Sequence, residues 1–241
     1  MFKKILKNII EENKKLHRLT YEQLKELEWA HIYHDSIRGK QWLQELPLNI
    51  GRWAGNYTFF YVLNRILTEY KPRLIIEFGL GESSKFISSF LDNYLDQSKH
   101  LVIEQSQEWK DYFDKSFKLS ANSEVRIHDM ISKQVKGNET KGYHGIEKIH
   151  NKKFDLYIVD GPFGSDKYSR YDIVELAQTL NPSDDFIIIM DDYQREGEKQ
   201  TVNDLEKLFE KRKITIYSYV YSGNKSFMVL ATIKYKYTTS Y

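Results

Sequence analysis

From Arg73 to Asp192 the chain repeats one theme, an apolar run of strand length that stops on a carboxylate. The runs ending in Leu74–Ile76, Leu101–Ile103, Leu156–Val159 and Phe186–Met190 are followed by Glu77, Glu104, Asp160, and Asp191 with Asp192. Runs apolar on both faces suit strands buried between helices, and helical patterns fill the intervals. The reading gives strands at 73–78, 100–104, 124–128, 154–160 and 185–191, with helices at 83–95, 107–118, 168–180 and 197–211. Such alternation specifies an α/β, doubly wound parallel sheet. The end differs: ITIYSYVY and KSFMVLATI, joined by Ser222, Gly223 and Asn224, read as an antiparallel hairpin that brings the strand count to seven. The tail KYKYTTSY is expected to fray.

In a doubly wound sheet the ligand lies beyond the carboxyl ends of the strands, where these acids collect. The first of those ends, RLIIEFGLGESS at 73–84, turns on Gly79 and Gly81, and Ser83 and Ser84 follow as caps for a helix. A dinucleotide would bring a pyrophosphate, which wants glycines and bare helix N–H groups but is repelled by Glu77. A cofactor carrying an ammonium and a sulfonium has the opposite preference, and S-adenosylmethionine (SAM) is that cofactor. Glu104 stands where an acidic group can accept both hydroxyls of a ribose, a position that both cofactor types use.

The second group of residues is DGPFGSDKYSRYD at 160–172 with MDDYQRE at 190–196. Asp160, Asp191 and Asp192 project from neighbouring strand ends, and three converging carboxylates call for a cation, Mg²⁺ or Mn²⁺ by the preference for oxygen ligands. Asp160, Lys167 and His144, in that order, are candidates for the general base, and Lys167 with Arg170 could hold an anionic substrate. The polar loop 130–151 is long enough to cover an acceptor.

The ordered set EFGLG at 77–81, LVIE at 101–104, HDM at 128–130 and LYIVDGP at 156–162, with the closing hairpin, resembles the class I SAM-dependent methyltransferases over roughly 55–233. The resemblance implies a Rossmann-like doubly wound seven-stranded sheet. It also implies that Glu77, Gly79 and Gly81 hold the methionine part of SAM, with Ser83 at the cofactor turn in place of a third glycine sometimes seen in the family, Glu104 the ribose and Asp129 the adenine end. The acid cluster is similar to those of cation-dependent O-methyltransferases of the catechol or polysaccharide type, which implies methylation of a hydroxyl on a sugar, glycan or small metabolite. The competing readings are an NAD-dependent oxidoreductase, disfavoured by Glu77 and the absent G-x-G-x-x-G, and a catalytically inactive methyltransferase-like scaffold.

Residues 1–54 read as an N-terminal helical extension or lid ahead of a methyltransferase-like domain at 55–235. Phe2, Ile5, Leu6, Ile9 and Ile10 recur at helical spacing among lysines, a stripe suited to the chain's own core, a membrane surface or a homodimer. Thr20 with Gln23 marks a second helix through about Trp29, and Asp35 a third that Pro47 ends. Arg52 and Trp53 lie in a glycine-flanked loop that could form a lid, ahead of a helix from Tyr57 to about Tyr70. Lysines interrupt the N-terminal apolar stretch, so no signal peptide is expected, and no run is long enough to span a bilayer. Thirty-six Lys and Arg against 34 Asp and Glu give a net charge of +2, too even a balance to gather nucleic acid. The chain has no cysteine, which excludes thiolate chemistry and allows the cytoplasm, the expected location.

Overall fold

The computed structural model describes residues 2–51, 54–149 and 152–241, with side chains described from Lys4 onward. The chain opens with helices α1 (Phe2–Ser36), α2 (Gln41–Gln44) and α3 (Tyr57–Glu69). Then come β1 (Leu74–Phe78), α4 (Glu82–Asn93), β2 (Lys99–Glu104), α5 (Gln107–Ser116), β3 (Ser123–Ile127), β4 (Met130–Val135) and β5 (Asn138–Tyr143). It closes with β6 (Leu156–Val159), α6 (Asp172–Ala177), β7 (Ile187–Met190), α7 (Glu196–Lys211), β8 (Tyr217–Ser222) and β9 (Ser226–Ala231). Seven strands form one sheet in the order β3-β2-β1-β6-β7-β9-β8, parallel except that β9 runs antiparallel to both β7 and β8. This is the expected Rossmann-like doubly wound sheet with its C-terminal hairpin.

The two-residue period of a strand divides the apolar runs between two cores. Ile75, Leu156, Ile158, Ile187 and Ile189 face α3, α4 and the end of α1, whereas Ile76, Phe78, Tyr157, Val159, Ile188 and Met190 face α6 and α7. A smaller cluster of Leu80, Val102 and Phe113 seats α5. All five parallel strands deliver their carboxyl ends to one edge, which gathers Glu104, Asp160, Asp191 and Asp192 there, with Glu77 buried beneath it.

The N-terminal region departs from the expected three helices. α1 runs unbroken for 35 residues, because the Thr20–Gln23 cap pattern lies inside continuous helical periodicity and propagation through it costs less than a second nucleation. Only its second half docks. Tyr33 meets Tyr57, Phe60 and Phe86, and Glu26 accepts from the Tyr57 N–H (2.7 Å), Asn56 Nδ2 (2.9 Å) and the Asn224 N–H (3.1 Å). The end of the extension therefore shares the core of the sheet, while residues 4–21 are exposed. The third expected helix shrinks to α2, and the lid residues Arg52 and Trp53 lie outside the described residues. No described helix is long and apolar enough to cross a membrane.

Two further expectations change. Residues 130–143 form a hairpin, with β4 and β5 paired from Met130–Tyr143 to Val135–Asn138 around Lys136 and Gly137, both at positive φ. Polar strands hid it, because the hairpin buries one edge through charge: Lys133 Nζ donates to Asp172 (2.6 Å) and Glu175 (2.7 Å), and Lys136 Nζ to Asp204 (2.6 Å). The tail is ordered as well. Residues 233–239 form a 3-10 helix, Tyr221 Oη donates to the Thr238 carbonyl (2.8 Å) and accepts from the Tyr241 N–H (2.9 Å), and Tyr241 Oη donates to Glu69 (2.9 Å).

Candidate functional site

The turn after β1 is built from its own hydrogen bonds. Gly79 sits at φ +96°, a conformation that disfavours any side chain, and a Cβ there would lie 3.6 Å from the Asp160–Gly161 backbone. Its N–H donates to the Ile103 carbonyl (2.8 Å), the Leu80 N–H to Glu104 Oε2 (2.9 Å) and the Gly81 N–H to Ser84 Oγ (3.0 Å). A Cβ on Gly81 would meet nothing within 4 Å, so this residue faces open space.

Glu77, expected to hold the methionine part of SAM, is braced within the protein. It is 0% exposed, and its carboxylate accepts from Ser83 Oγ and from Ser84 Oγ (2.6 Å), with His100 Nε2 at 3.1 Å. β1 turns Glu77 toward the α4 face of the sheet, so the carboxylate ties the first turn of α4 to β2 and has no surface to offer a ligand. Ser83 is committed to the same bond. Glu104 is 2% exposed and accepts the Leu80 N–H with Oε2 and the N–H groups of Gln105 and Ser106, each at 2.8 Å, with Oε1. Three donors on two oxygens leave it about one free acceptor position. Asp129 is exposed at the end of β3, where its carbonyl accepts the His144 N–H (2.8 Å).

Three aromatic residues complete this rim, Trp109 and Tyr112 after β2 and Tyr143 from the loop expected to cover the acceptor. Trp109 Nε1 donates to the Leu80 carbonyl (2.7 Å) and its ring stacks on Tyr112 at 5.6 Å, so an exposed aromatic pair hangs beside the glycine turn. Tyr143, buried at the end of β5, stacks on Phe78 and donates to Gln105 Oε1 (3.1 Å). Burial pushes its hydroxyl well above the ordinary phenol range.

Asp160, Asp191 and Asp192 do converge, with one oxygen from each within 4.8 Å of the others. The cations around them come from distant segments. Arg170 Nη2 contacts Asp160 Oδ1 (3.0 Å) and Asp192 Oδ2 (2.9 Å), and its Nη1 donates to the carbonyls of Val159 (3.3 Å) and Asp191 (3.0 Å). Lys225 Nζ reaches Asp191 Oδ2 (3.1 Å), Asp192 Oδ1 (3.5 Å) and the Ala54 carbonyl (3.1 Å). Arg195 Nη1 lies 3.0 Å from Asp192 Oδ2. Below them Glu198 is 0% exposed, with no hydrogen-bond partner on either oxygen and Arg170 Nε at 3.8 Å. Arg170 and Asp192 hold positive φ values of 58° and 55°, a cost that folded chains carry where surrounding contacts fix the geometry.

Charge and burial oppose each other here. Burial, and after it Asp191, pushes the Asp160 carboxyl up to about 7. For Asp192 burial raises the pKa, but Lys225, Arg170 and Arg195 outweigh it and hold the group below the usual range. Burial lowers the Lys225 ammonium, and the three aspartates more than restore it, leaving it raised. The other two base candidates do not join this cluster. Lys167 is exposed and makes no ion pair with a described residue, and exposed His144 pairs through its main chain with Asp129 and His128. Lys167 sits in a surface turn, and the β4–β5 hairpin carries His144 to the end of β3. Arg170, expected to meet an anionic substrate, is instead spent on the cluster.

No protein-family model and no curated protein matches the chain. Among solved structures, a Klebsiella pneumoniae protein described as a candidate O-methyltransferase is 13% identical, with 86% of this chain and 89% of that one covered at a TM-score of 0.48. The O-methyltransferase from Bacillus cereus, crystallised with S-adenosylhomocysteine (SAH), is 17% identical, with 84% and 90% covered at a TM-score of 0.46. The O-methyltransferase TomG from Streptomyces achromogenes, in complex with SAM, is 12% identical, with 83% and 89% covered at a TM-score of 0.44.

Proposed function

We propose that the chain is a SAM-dependent O-methyltransferase acting on a hydroxyl of a sugar, glycan or small metabolite. One observation carries the choice of donor: the N–H groups of Gly79, Leu80 and Gly81 are all engaged within the protein. A pyrophosphate needs those donors free, so an NAD-type cofactor finds none of them at the turn. What the cleft offers instead is acidic, with Asp160 32% exposed on its side chain and Asp129 exposed at the rim. That environment suits a ligand bearing an ammonium and a sulfonium. The strand order, with antiparallel β9 set between β7 and β8, supports the same reading.

SAM supplies a methyl group already made electrophilic by the sulfonium, so the protein's tasks are alignment and removal of one proton. Gly79 and Gly81 let the ligand approach the backbone, Glu104 keeps an acceptor position for a ribose hydroxyl, and Asp129 stands nearest the adenine end. Asp160 takes the acceptor's proton, since a carboxyl with a pKa of about 7 divides between base and acid near neutrality. The test is titration calorimetry with SAH and NAD on one preparation. SAH is expected to bind and NAD to give no heat; NAD binding in place of SAH would overturn the reading.

The exposed stripe on α1, including Ile5, Leu6, Ile9, Leu16 and Leu24, supports a homodimer through the N-terminal helices. Light scattering should give twice the chain mass, and a monomer at all concentrations would refute it. A cytoplasmic location agrees with the lack of cysteine.

A further inference from the structure

We infer that the Asp160–Asp191–Asp192 cluster is closed to divalent cations because Lys225 and Arg170 stand in the place of the metal. The inference concerns the cleft proposed for methyl transfer, but it does not depend on the identity of the donor.

A Mg²⁺ or Mn²⁺ site needs carboxylate oxygens whose lone pairs are free to close on the ion at about 2.1 Å. Here four of the six oxygens are committed. Asp191 Oδ2 meets Lys225, Asp192 Oδ1 meets Lys225 and accepts from Gln194 Nε2, Asp192 Oδ2 meets Arg170 and Arg195, and Asp160 Oδ1 meets Arg170. That leaves one oxygen of Asp160 and one of Asp191, too few for a three-carboxylate cage. The charge count agrees. With Asp160 ionised, four acids, Asp160, Asp191, Asp192 and Glu198, face three cations, Arg170, Arg195 and Lys225, for a net charge of −1, and with Asp160 protonated the cluster is neutral. Adding a dication would leave a half-buried site at +1 or +2, an unfavourable exchange for ions already paired.

Lys225 is also held in place. Its ammonium donates to Asp191 Oδ2 and to the Ala54 carbonyl, each at 3.1 Å, and pairs with Asp192 Oδ1 at 3.5 Å. Its own carbonyl accepts the Gly223 N–H (2.9 Å) and Asn56 Nδ2 (3.3 Å), and Asn56 is gripped by Glu26 of α1. Lys225 therefore ties the β8–β9 turn, the segment before α3 and the strand-end acids together, which a solvent-exchanging metal would not do.

The test is Mn²⁺ titration followed by electron paramagnetic resonance on the full chain after chelation, with SAH calorimetry on the same samples. The wild type should leave the free Mn²⁺ signal unchanged and bind SAH as well after chelation as before. Lys225→Met, which keeps the apolar stem and removes one positive charge from the cluster, should bind Mn²⁺ about tenfold tighter or more, since a unit charge is removed within contact distance. Asp191→Asn in that background should abolish the gain. Mn²⁺ bound by the wild type and released by Asp191→Asn overturns the inference, as does a folded Lys225→Met that gains no affinity. If Lys225→Met does not fold, Lys225→Gln carries the same expectation. Loss of SAH binding in all samples counts against the donor reading alone.

Discussion

Replacing Glu77 separates a brace from a ligand. In Glu77→Gln the side chain keeps its shape, but two serine hydroxyls and His100 lose a charged acceptor at a site with no access to water. A hydrogen bond to a charged group contributes about 1.5–3 kcal/mol, and the amide retains part of each contact, so a loss of about 2 kcal/mol is expected. Glu77→Ala removes every acceptor and opens a cavity, for a loss of about 4 kcal/mol. Against a total of about 5–15 kcal/mol, both effects are readable as urea midpoints at constant slope. SAH affinity, measured where each variant is folded, should fall by no more than about threefold for Glu77→Gln, or about 0.6 kcal/mol. A ligand role gives the reverse pattern. Stability within about 0.5 kcal/mol of wild type, with a tenfold or greater loss of SAH affinity, would refute the bracing argument.

Other outcomes follow from the same geometry. Gly79→Ala should cost about 1–2 kcal/mol in urea unfolding from its φ of +96° and weaken SAH binding. With Asp160 raised to about 7 by burial and then by Asp191, methyl transfer should rise with pH through about 7, and Asp160→Asn should abolish that rise, as followed by SAH release. The sign for stability is opposite: folding favours the protonated form, so this group's contribution is full below about 3.9 and is lost as pH rises to about 7, visible as a falling urea midpoint between about pH 4 and 7. Tyr221→Phe removes a buried hydroxyl that donates to Thr238 and accepts from Tyr241, and should cost about 1–2 kcal/mol with the tail becoming protease-sensitive.

The sheet was legible because its signals are local. Each parallel strand is a short apolar run closed by an acid or a turn, and β8 and β9 announce themselves by composition and by Ser222–Gly223–Asn224. The β4–β5 hairpin was not, since Lys133, Lys136 and Thr140 hold it to Asp172, Asp204 and the Tyr168 carbonyl, partners 28 to 68 residues away. Nor was the single α1, where the Thr20–Gln23 capping signal is overridden by the helix on either side.

At the site, sequence placed the acids but not what they touch. Glu77, Glu104 and Asp160 fall on one face of the sheet, yet they differ in how far along their strands they sit, Glu77 being in register with Val102 and Ile158, two residues before Glu104 and Asp160. Glu77 shares the Ile75 face and is sealed under α4; Asp160, one residue past β6, stays at the mouth. A pattern of carboxylates fixes a negative charge near the cleft, but not whether that charge is still available to a ligand. Availability is set by cations from elsewhere, Arg170 from a strained loop and Lys225 from a hairpin 34 residues beyond Asp191. Neither carries a local signature, because a lysine after a turn usually points to solvent. The acid triad alone would describe a metal centre, whereas the triad with Arg170, Arg195 and Lys225 describes a nearly neutral ion network, and the two differ in whether removing one lysine creates a binding site.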